Sequence, residues 1–384
     1  MTTDRDAFDT RLIHAGEAPD STTGAHGVPM YQNATYAFRS FDQVEAFEAG
    51  TAPHFTYGRY GNPTTRCFEL KMADLEGAES AAAAANGMAA IAATLLELTS
   101  CGGHVVAGCD LYQVSAQVLD RDVPAGGGAV TRVDLRDLTA VEAAVEERTR
   151  AIYCETFSNP QMHVADLPAL AGIAKRRGLL LAVDNTFLSP ALLRPIELGA
   201  DVVIHSATKY LSGSGQVMGG VVAGRRAFVD AVGARLSRQG GTMTPFAAWL
   251  LLAGVKTLSL RMERHSATTQ LLAEALAGSA AVQTVNYPGL AGSAGHEAAL
   301  RMSPRGAGGL LSFRLHGGRA AARAFVDSLR ICTIAVSLGE PTTLIWPLRD
   351  GLLRLAVGLE DSADLLREVE RGLAAAVAAT DTIG

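Results

Sequence analysis

Residues 202–213 read VVIHSATKYLSG, and this stretch decides the fold class. Its apolar start, two valines and an isoleucine, is typical of the end of a strand that is buried on both faces. Lys209 follows between hydroxyl-bearing neighbours and ahead of a glycine turn. Because binding residues of α/β sheets lie beyond the carboxyl ends of the strands, a primary amine at this position indicates a binding site at that edge of the sheet.

The preceding apolar run, LLLAVD, ends in Asp184, 25 positions before Lys209. A carboxylate at the mouth of a buried strand needs a partner or a shifted pKa, and a protonated ring nitrogen is a suitable partner. The pair suits pyridoxal phosphate, because lysine forms a Schiff base with the aldehyde and aspartate holds the ring-nitrogen proton. Taken singly, Lys209 also fits a solvated loop lysine, and Asp184 also fits a helix cap.

The stretch NGMAAIAATLLEL predicts a helix that begins at about Gly87. A glycine there lets backbone N–H groups approach an anion, and the amino end of a helix favours negative charge. Ser206 and Thr208 can donate hydroxyl hydrogen bonds to the same phosphate. Helix propensity alone would instead run one helix through SAAAAANGMAAIAATLL.

Short apolar runs alternate with helical patterns from about residue 65 to 225. The predicted strands are HVVAG, AIYCET, LLLAVD, DVVIHS and GGVVAG. Between them, DLPALAGIAKRRG predicts a helix with Asp166 as N-cap, Pro168 in the first turn and Gly178 at the exit. This alternation predicts an α/β fold with a mainly parallel central sheet that is covered on both faces.

The pattern changes along the chain and predicts three parts. Residues 1–62 form an N-terminal arm with a helix near SFDQVEAFEAG, and residues 63–245 form a large cofactor-binding α/β domain. Residues 246–384 form a smaller α+β domain with a long helical region, the strands GGLLSFRLHG and LLRLAVG, and a last helix.

The composition argues against several classes of protein and partner. The net charge is −6, and no run of lysine or arginine favours nucleic acid or a membrane surface. The start, MTTDRDAFDT, is too polar for a secretory signal, and FAAWLLLAGV is too short to span a bilayer. The five cysteines lack CxxC spacing, which predicts reduced thiols in a cytoplasmic protein without a metal site.

Several motifs, in order along the chain, resemble the pyridoxal-phosphate-dependent enzymes of Cys/Met metabolism. This family includes cystathionine γ-synthase, cystathionine γ-lyase, methionine γ-lyase and O-acylhomoserine sulfhydrylase. The matching motifs are TRLIHAG (Thr10–Gly16), YGRYGNPTTR (Tyr57–Arg66), NGMAAI, DLYQ, ETFSNP, AVDNTF, HSATKYLSG and LLRLAVGLED (Leu352–Asp361). The resemblance implies the fold type I (aspartate-aminotransferase-like) architecture of these enzymes.

The resemblance also implies site residues. Lys209 is the Schiff-base lysine, and Tyr112 and Tyr57 are further catalytic candidates for proton transfer to the leaving group. The implied cofactor-binding residues are Tyr57, Arg59, Gly87, Met88, Tyr112 (stacked on the ring), Asn159 (at the 3-oxygen), Asp184, Ser206, Thr208 and Lys209. Arg354 clamps the substrate carboxylate, with Ser337 and Asn159 beside it.

Two residues of the arm imply an oligomer. Tyr57 and Arg59 match family residues that reach the phosphate of a neighbouring subunit, so the resemblance implies a dimer with shared active sites, and a tetramer of two such dimers. The arginine fork suits a phosphate dianion. The other partner expected is a small amino-acid substrate.

The implied reaction is γ-elimination or γ-replacement on a γ-substituted L-amino acid, such as a homoserine ester or a sulfur-containing amino acid. It runs through an external aldimine and a vinylglycine-type intermediate. Three alternatives stay open: a housekeeping cystathionine γ-synthase, γ-lyase or O-acylhomoserine sulfhydrylase; an aminotransferase of the same fold; and a cofactor-binding regulator without activity.

The sequence departs from the family near the clamp arginine. The connection SLGEPTTLIWPLRDGLLR, from Ser337 to Arg354, is shortened, with Trp346 and Pro347 in place of the missing part. Thr342 stands where cystathionine-handling members often carry a glutamate, and Val114 stands where methionine γ-lyases carry a cysteine. These departures predict a specialised member that acts on an unusual amino acid, for example a γ-halogenated one.

Overall fold

The structure is a computed structural model that describes residues 6–381. Two sheets organise this part of the chain, one of seven strands and one of five. The strands are β1 (Ser80–Ala84), β2 (His104–Gly108), β3 (Ala129–Val133), β4 (Thr149–Glu155), β5 (Leu180–Asp184), β6 (Val202–His205), β7 (Gly220–Gly224), β8 (Val282–Asn286), β9 (Leu310–Leu315), β10 (Thr333–Ile334), β11 (Leu344–Pro347) and β12 (Leu353–Ala356).

Helices cover both sheets. The α-helices are α1 (Phe8–His14), α2 (Phe41–Glu48), α3 (Pro63–Glu76), α4 (Gly87–Leu98), α5 (Gln113–Gln117), α6 (Val123–Ala125), α7 (Leu138–Ala143), α8 (Leu167–Arg177), α9 (Ser189–Leu192), α10 (Arg226–Gln239), α11 (Pro245–Val255), α12 (Leu258–Ala277), α13 (His296–Met302), α14 (Gly318–Ser328) and α15 (Ser362–Asp381).

The seven-stranded sheet has the order β1-β7-β6-β5-β4-β2-β3. Strand β7 is antiparallel to both of its neighbours, and the remaining pairs are parallel. Successive residues of a strand enter different cores, since Val203 packs in one apolar cluster and Val202 in the other. Burial on both faces explains why these strands lack polar alternation. The predicted mainly parallel sheet is therefore confirmed.

Local signals place the helices of this sheet. Helix α8 begins after Asp166, whose carboxylate accepts the N–H of Ala169 at 3.3 Å, and it ends at Gly178 with a φ of 66°. Helix α4 begins at Gly87, and the side chain of Asn86 caps it. The alanine run before it is strand β1, because pairing with β7 and burial override the helix propensity of alanine.

The five-stranded sheet has the order β10-β11-β12-β9-β8. Pairing is parallel between β10 and β11 and antiparallel elsewhere in this sheet. It contacts the loop after β4, since the Ser312 hydroxyl donates a 2.8 Å hydrogen bond to the carbonyl of Pro160. The second sheet thereby meets the carboxyl edge of the first. The exact domain boundaries stay a prediction.

Other features of residues 6–381 bear on partners. No helix in this range is long and apolar enough to cross a membrane. In the same range, no group of three or more histidine, cysteine, aspartate or glutamate side chains is placed to hold a metal ion. All five cysteines are free thiols.

Candidate active site

The carboxyl edge of the large sheet collects the candidate residues. Parallel strands end at one edge, and loops beyond that edge carry binding residues. Glu155 ends β4 and Asp184 ends β5, and the two residues are paired in register. Lys209 follows β6, and Gly87 follows β1.

The amine of Lys209 lies against a loop of the second domain. Its Nζ donates a 2.8 Å hydrogen bond to the hydroxyl of Ser337. This close approach requires a glycine at 339, because a Cβ there would lie 2.6 Å from the backbone nitrogen of Tyr210. Burial and then the positive charge of Arg354 lower the pKa of Lys209, while Glu340 opposes them. The neutral, nucleophilic form of the amine is thereby favoured.

Asp184 is a buried carboxyl group, 8% exposed. Its Oδ1 accepts hydrogen bonds from the N–H of Thr186 at 3.0 Å and from its hydroxyl at 2.5 Å. Burial raises the pKa of Asp184, and the hydrogen bonds from Thr186 oppose that shift. Within residues 6–381 this carboxylate has no ion pair. A cationic ring nitrogen would supply the missing counter-charge.

The amino end of α4 forms a close-fitting cradle. A Cβ on Gly87 would lie 2.6 Å from the Cβ of Ser206 and 2.7 Å from its hydroxyl oxygen, so glycine is required. The Asn86 side chain accepts the N–H of Ala89 at 2.9 Å, and Met88 lies half-buried in the same first turn. Unpaired N–H groups at a helix start suit a phosphate.

Thr208 has partners of its own. Its hydroxyl donates to the carbonyl of Gly219 at 3.2 Å and accepts the N–H of the same residue at 3.0 Å. These bonds fix the turn that carries Lys209 to the edge of β7. Its role toward a phosphate stays a prediction.

The carboxylate clamp is built on β12. Arg354 donates from Nη2 to the carbonyl of Ser337 at 3.0 Å, and its Nε is buried without a partner in the part of the chain described. Burial lowers the pKa of Arg354, and the nearby hydroxyls of Tyr112 and Tyr210 act in the opposite direction. An unpaired, buried guanidinium N–H is suited to a ligand carboxylate.

Glu155 was missed by the sequence reasoning. Its Oε1 accepts the backbone N–H of Tyr112 at 2.7 Å, and it also accepts a backbone hydrogen bond from Asn159. Burial and then the charge of Asp184 raise the pKa of Glu155 well above its usual range. Its position at the end of an apolar strand, like that of Asp184, was the signal available.

Thr186 was also missed. Besides its two bonds to Asp184, its hydroxyl accepts the N–H of Ser206 at 2.9 Å, so it ties the end of β5 to the start of the Lys209 loop. A threonine two residues after an aspartate is a common turn signal, but its bond to Ser206 depends on strand pairing.

Tyr57 and Arg59 lie together, at a different place in the same chain. The Arg59 guanidinium lies 5.6 Å from the Tyr57 ring centre and 4.7 Å from that of Tyr60, and it donates to the carbonyl of Ser237 on α10 at 3.1 Å. Their polar and ring contacts within residues 6–381 include none to Lys209 or Arg354. Their contribution to a neighbouring subunit stays a prediction.

A sequence model described as "Cys/Met metabolism PLP-dependent enzyme" matches residues 9–347. The chain belongs to this family. Because the members are pyridoxal-phosphate enzymes, the chain is an enzyme and pyridoxal phosphate is its cofactor. The match ends at Pro347, immediately before the turn between β11 and β12.

Individual relatives cover almost the whole chain. It is 42% identical to an O-succinylhomoserine sulfhydrylase of Pseudomonas aeruginosa and 41% identical to an L-methionine gamma-lyase of Pseudomonas putida. These alignments cover 96% of this chain and 96% and 97% of the two relatives, respectively. The first spans 387 positions although this chain has 384 residues, so the relative carries residues that this chain lacks.

A solved structure agrees with the fold. A putative O-acetylhomoserine (thiol)-lyase of Campylobacter jejuni superposes with a TM-score of 0.90 and 30% identity, covering 96% of this chain and all of that one. That protein holds its cofactor as a pyridoxyl-lysine phosphate. The fold type I α/β class is therefore confirmed.

Proposed function

We propose that this enzyme catalyses γ-elimination or γ-replacement on a γ-substituted L-amino acid, such as a homoserine ester or a sulfur-containing amino acid. One observation carries the proposal. Ser337 accepts Lys209 Nζ at its hydroxyl and Arg354 Nη2 at its carbonyl, so the amine and the carboxylate clamp share one residue. An amino acid held by its carboxylate at Arg354 presents its Cα to Lys209. The names of the two relatives support a γ-substituted substrate.

The cofactor is assigned to residues that fit it. Lys209 would hold the aldehyde carbon, Asp184 the protonated ring nitrogen, and Tyr112 the ring face. The remaining assignments are Gly87, Met88, Ser206 and Thr208 to the phosphate and Asn159 to the 3-oxygen. The buried carboxyl of Asp184, which has no ion pair within residues 6–381, and the cradle at Gly87 support this placement. When bound, pyridoxal phosphate supplies a conjugated cationic ring that accepts the electron pair left at Cα.

Lys209 is the proposed proton carrier. In γ-chemistry a base removes the proton from Cα and then one from Cβ, so that the bond at Cγ can break. A neutral amine is needed, and burial together with the charge of Arg354 lowers the pKa of Lys209 toward that form. Tyr112, or Tyr57 of a neighbouring subunit, gives a proton to the departing group.

We propose a dimer with shared active sites as the functional unit, and a tetramer of two dimers. Arg59 and Tyr57 are exposed in the single chain and form a joint cationic and phenolic surface. Such a surface suits a phosphate dianion. A cytoplasmic location stays part of the proposal. The γ-substituent is either the sulfur or ester group of a housekeeping substrate or the group of a specialised one.

A substrate panel tests the reaction class. The cofactor-loaded protein is incubated with O-acetylhomoserine, O-succinylhomoserine, cystathionine, methionine and a γ-halogenated amino acid, with and without a thiol. Mass spectrometry identifies 2-oxobutanoate and ammonia, or a replacement product. Release of β-elimination products alone, or a visible band that responds to none of these amino acids, would contradict the proposal. Lys209→Ala is the control for background reaction.

A further inference from the structure

Trp346 lies directly opposite the carboxylate clamp. Strands β11 and β12 are antiparallel, and their register pairs Trp346 with Arg354. Paired residues of an antiparallel ladder project from the same face, with Cβ atoms about 5 Å apart. The indole therefore lies on the face of the sheet from which Arg354 reaches Ser337.

The indole of Trp346 is partly exposed and has no hydrogen-bonding or ring partner within residues 6–381. The exposed fraction of this residue is 39%. Val336, which precedes Ser337, is 59% exposed, and Pro347 is also exposed. An apolar side chain that is exposed beside a binding residue is available for contact with the ligand held there.

The connection beside Trp346 is short. Only residues 348–352 join β11 to β12, and the turn is closed by Leu348 N–H to the carbonyl of Leu352 at 2.8 Å. Gly351 occupies the left-handed region with a φ of 81°, and Arg314 forms an ion pair with Asp350. A turn of this length ends at the sheet and does not fold back over the indole.

The charge near the amine disfavours an acidic substituent. Besides burial, Arg354 and Glu340 both act on the pKa of Lys209, Arg354 more strongly, and Glu340 alone raises it. Because the carboxylate of the substrate would neutralise Arg354, Glu340 is the charge that remains for the side chain of the substrate. The Glu340 carboxylate also limits Gly215, since a Cβ on that glycine would lie 2.6 Å from the Glu340 carboxyl carbon. A second carboxylate on the substrate side chain would be repelled there.

We infer that Trp346 lines the substrate side-chain pocket and selects γ-substituted amino acids whose substituent is neutral and apolar. The inference rests on the proposed function and adds a specificity-determining residue to it. Each methylene of the substrate side chain that moves from water onto the indole strengthens binding, by about fourfold when fully buried. A succinyl ester, with its free carboxylate, is disfavoured.

Unreactive ligands test this without turnover. L-Norvaline, L-norleucine and L-2-aminoheptanoate lengthen the side chain by single methylenes and carry no leaving group. Dissociation constants come from the visible absorbance of the cofactor-loaded protein. The affinity of the wild type should rise about fourfold with each added methylene. In Trp346→Ala the rise should be less than twofold per methylene. Trp346→Phe should keep most of the slope, and L-2-aminoadipate should bind the wild type more weakly than L-norleucine.

A second readout reports contact directly. The chain has two tryptophans, so Trp249→Phe leaves Trp346 as the single indole. L-Norleucine should change the emission of that variant, in proportion to the occupancy measured by absorbance. Ile334→Ala is the matched control, because Ile334 pairs with Ile345 on the opposite face of the same sheet edge and should leave the slope unchanged.

The outcomes separate the two proposals. Equal slopes in wild type and Trp346→Ala, with L-norleucine still bound, would overturn the role of Trp346 and leave the reaction class intact. Binding of no amino acid, with no turnover of any γ-substituted substrate, would instead overturn the proposed function. Flattening in Trp346→Ala, with retained affinity for L-norvaline and a normal slope in Ile334→Ala, supports the inference.

Discussion

The Nζ atom of Lys209 donates a 2.8 Å hydrogen bond to the hydroxyl of Ser337, a residue of the second domain with a φ of 88°. A non-glycine residue in this left-handed region persists only where its surroundings hold it. Here the main chain of Ser337 is held by Arg354 and its hydroxyl by Lys209. The catalytic amine is thus positioned by the same loop that fixes the carboxylate clamp.

Replacement Ser337→Ala should lower kcat about tenfold. The freed amine loses the hydrogen-bond acceptor that orients it, and this bond contributes about 1.5 kcal/mol. The visible spectrum of the cofactor-loaded protein should stay unchanged. Steady-state kinetics with the best substrate of the panel give the measurement, and Ser328→Ala on α14 serves as the control. An unchanged kcat would show that Lys209 is positioned by other contacts.

Removing either of the two charges near Lys209 should shift the pKa of the amine, in opposite directions for the two charges. Arg354 lowers the pKa of Lys209 and Glu340 raises it, so Arg354→Gln should raise this pKa and Glu340→Gln should lower it. Because the neutral amine binds the aldehyde, cofactor capture by the apoprotein rises with pH through the pKa. The midpoint of the capture rate should therefore move to higher pH in Arg354→Gln and to lower pH in Glu340→Gln. Stopped-flow absorbance from pH 6 to 10 measures both midpoints, and shifts of equal sign would contradict the assignment.

Substitution Arg354→Lys should reduce kcat/KM about a hundredfold, mostly through KM, since lysine lacks the planar fork that pairs with a carboxylate. Arg314→Lys, on the same sheet but paired with Asp350, is the matched control. Retention of the wild-type KM in Arg354→Lys would place the carboxylate elsewhere.

The buried carboxylate of Asp184 lowers the stability of the apoprotein but supports the activity of the cofactor-loaded enzyme. Its folded pKa is raised above the unfolded value, so the native apoprotein binds the proton more tightly, and its stability falls as pH rises through this window. Above the folded pKa the apoprotein bears the full free-energy cost of burying the ionised carboxylate. Asp184→Asn should therefore raise the Tm of the apoprotein at pH 8, yet reduce kcat at least a hundredfold, because an amide cannot hold the ring-nitrogen proton. Calorimetry on apo and loaded protein measures both effects, and a lower apoprotein Tm would refute the account.

Much of this site was predictable from local patterns, because Asp184 and Lys209 each follow an apolar strand and parallel strands end at one edge. The start of α4 at Gly87 was predictable for the same kind of reason, since a polar cap and a glycine interrupt the alanine run. Thr186 and Glu155 were not predicted, because their partners Ser206 and Tyr112 lie in loops that follow other strands.

The strands missed by the sequence reasoning have weak local signals. Strand β1 is serine followed by four alanines and becomes a strand only by pairing with β7. Strands β3 and β8 are only partly buried, β10 has two residues, and β11 has four residues and ends in proline. The predicted long helical region is two helices, α11 and α12, separated at Lys256 and Thr257.

Subunit complementation tests whether active sites are shared. Arg59 lies beside α10 in its own chain, so its proposed phosphate belongs to a neighbouring subunit. Arg59→Gln and Lys209→Ala should each be nearly inactive, but in a mixed dimer one of the two sites receives both intact residues. Half of the dimers in an equal mixture are mixed, so co-refolding should restore about a quarter of wild-type activity for twofold-symmetric dimers. Mixing Asp184→Asn with Lys209→Ala gives the control, because both residues belong to the site of their own chain. Each site of a mixed dimer then carries one of the two substitutions, and no activity should return. Recovery in the first mixture alone establishes a site built from two chains, whereas failure of the folded first mixture would return Arg59 to a role within its own subunit.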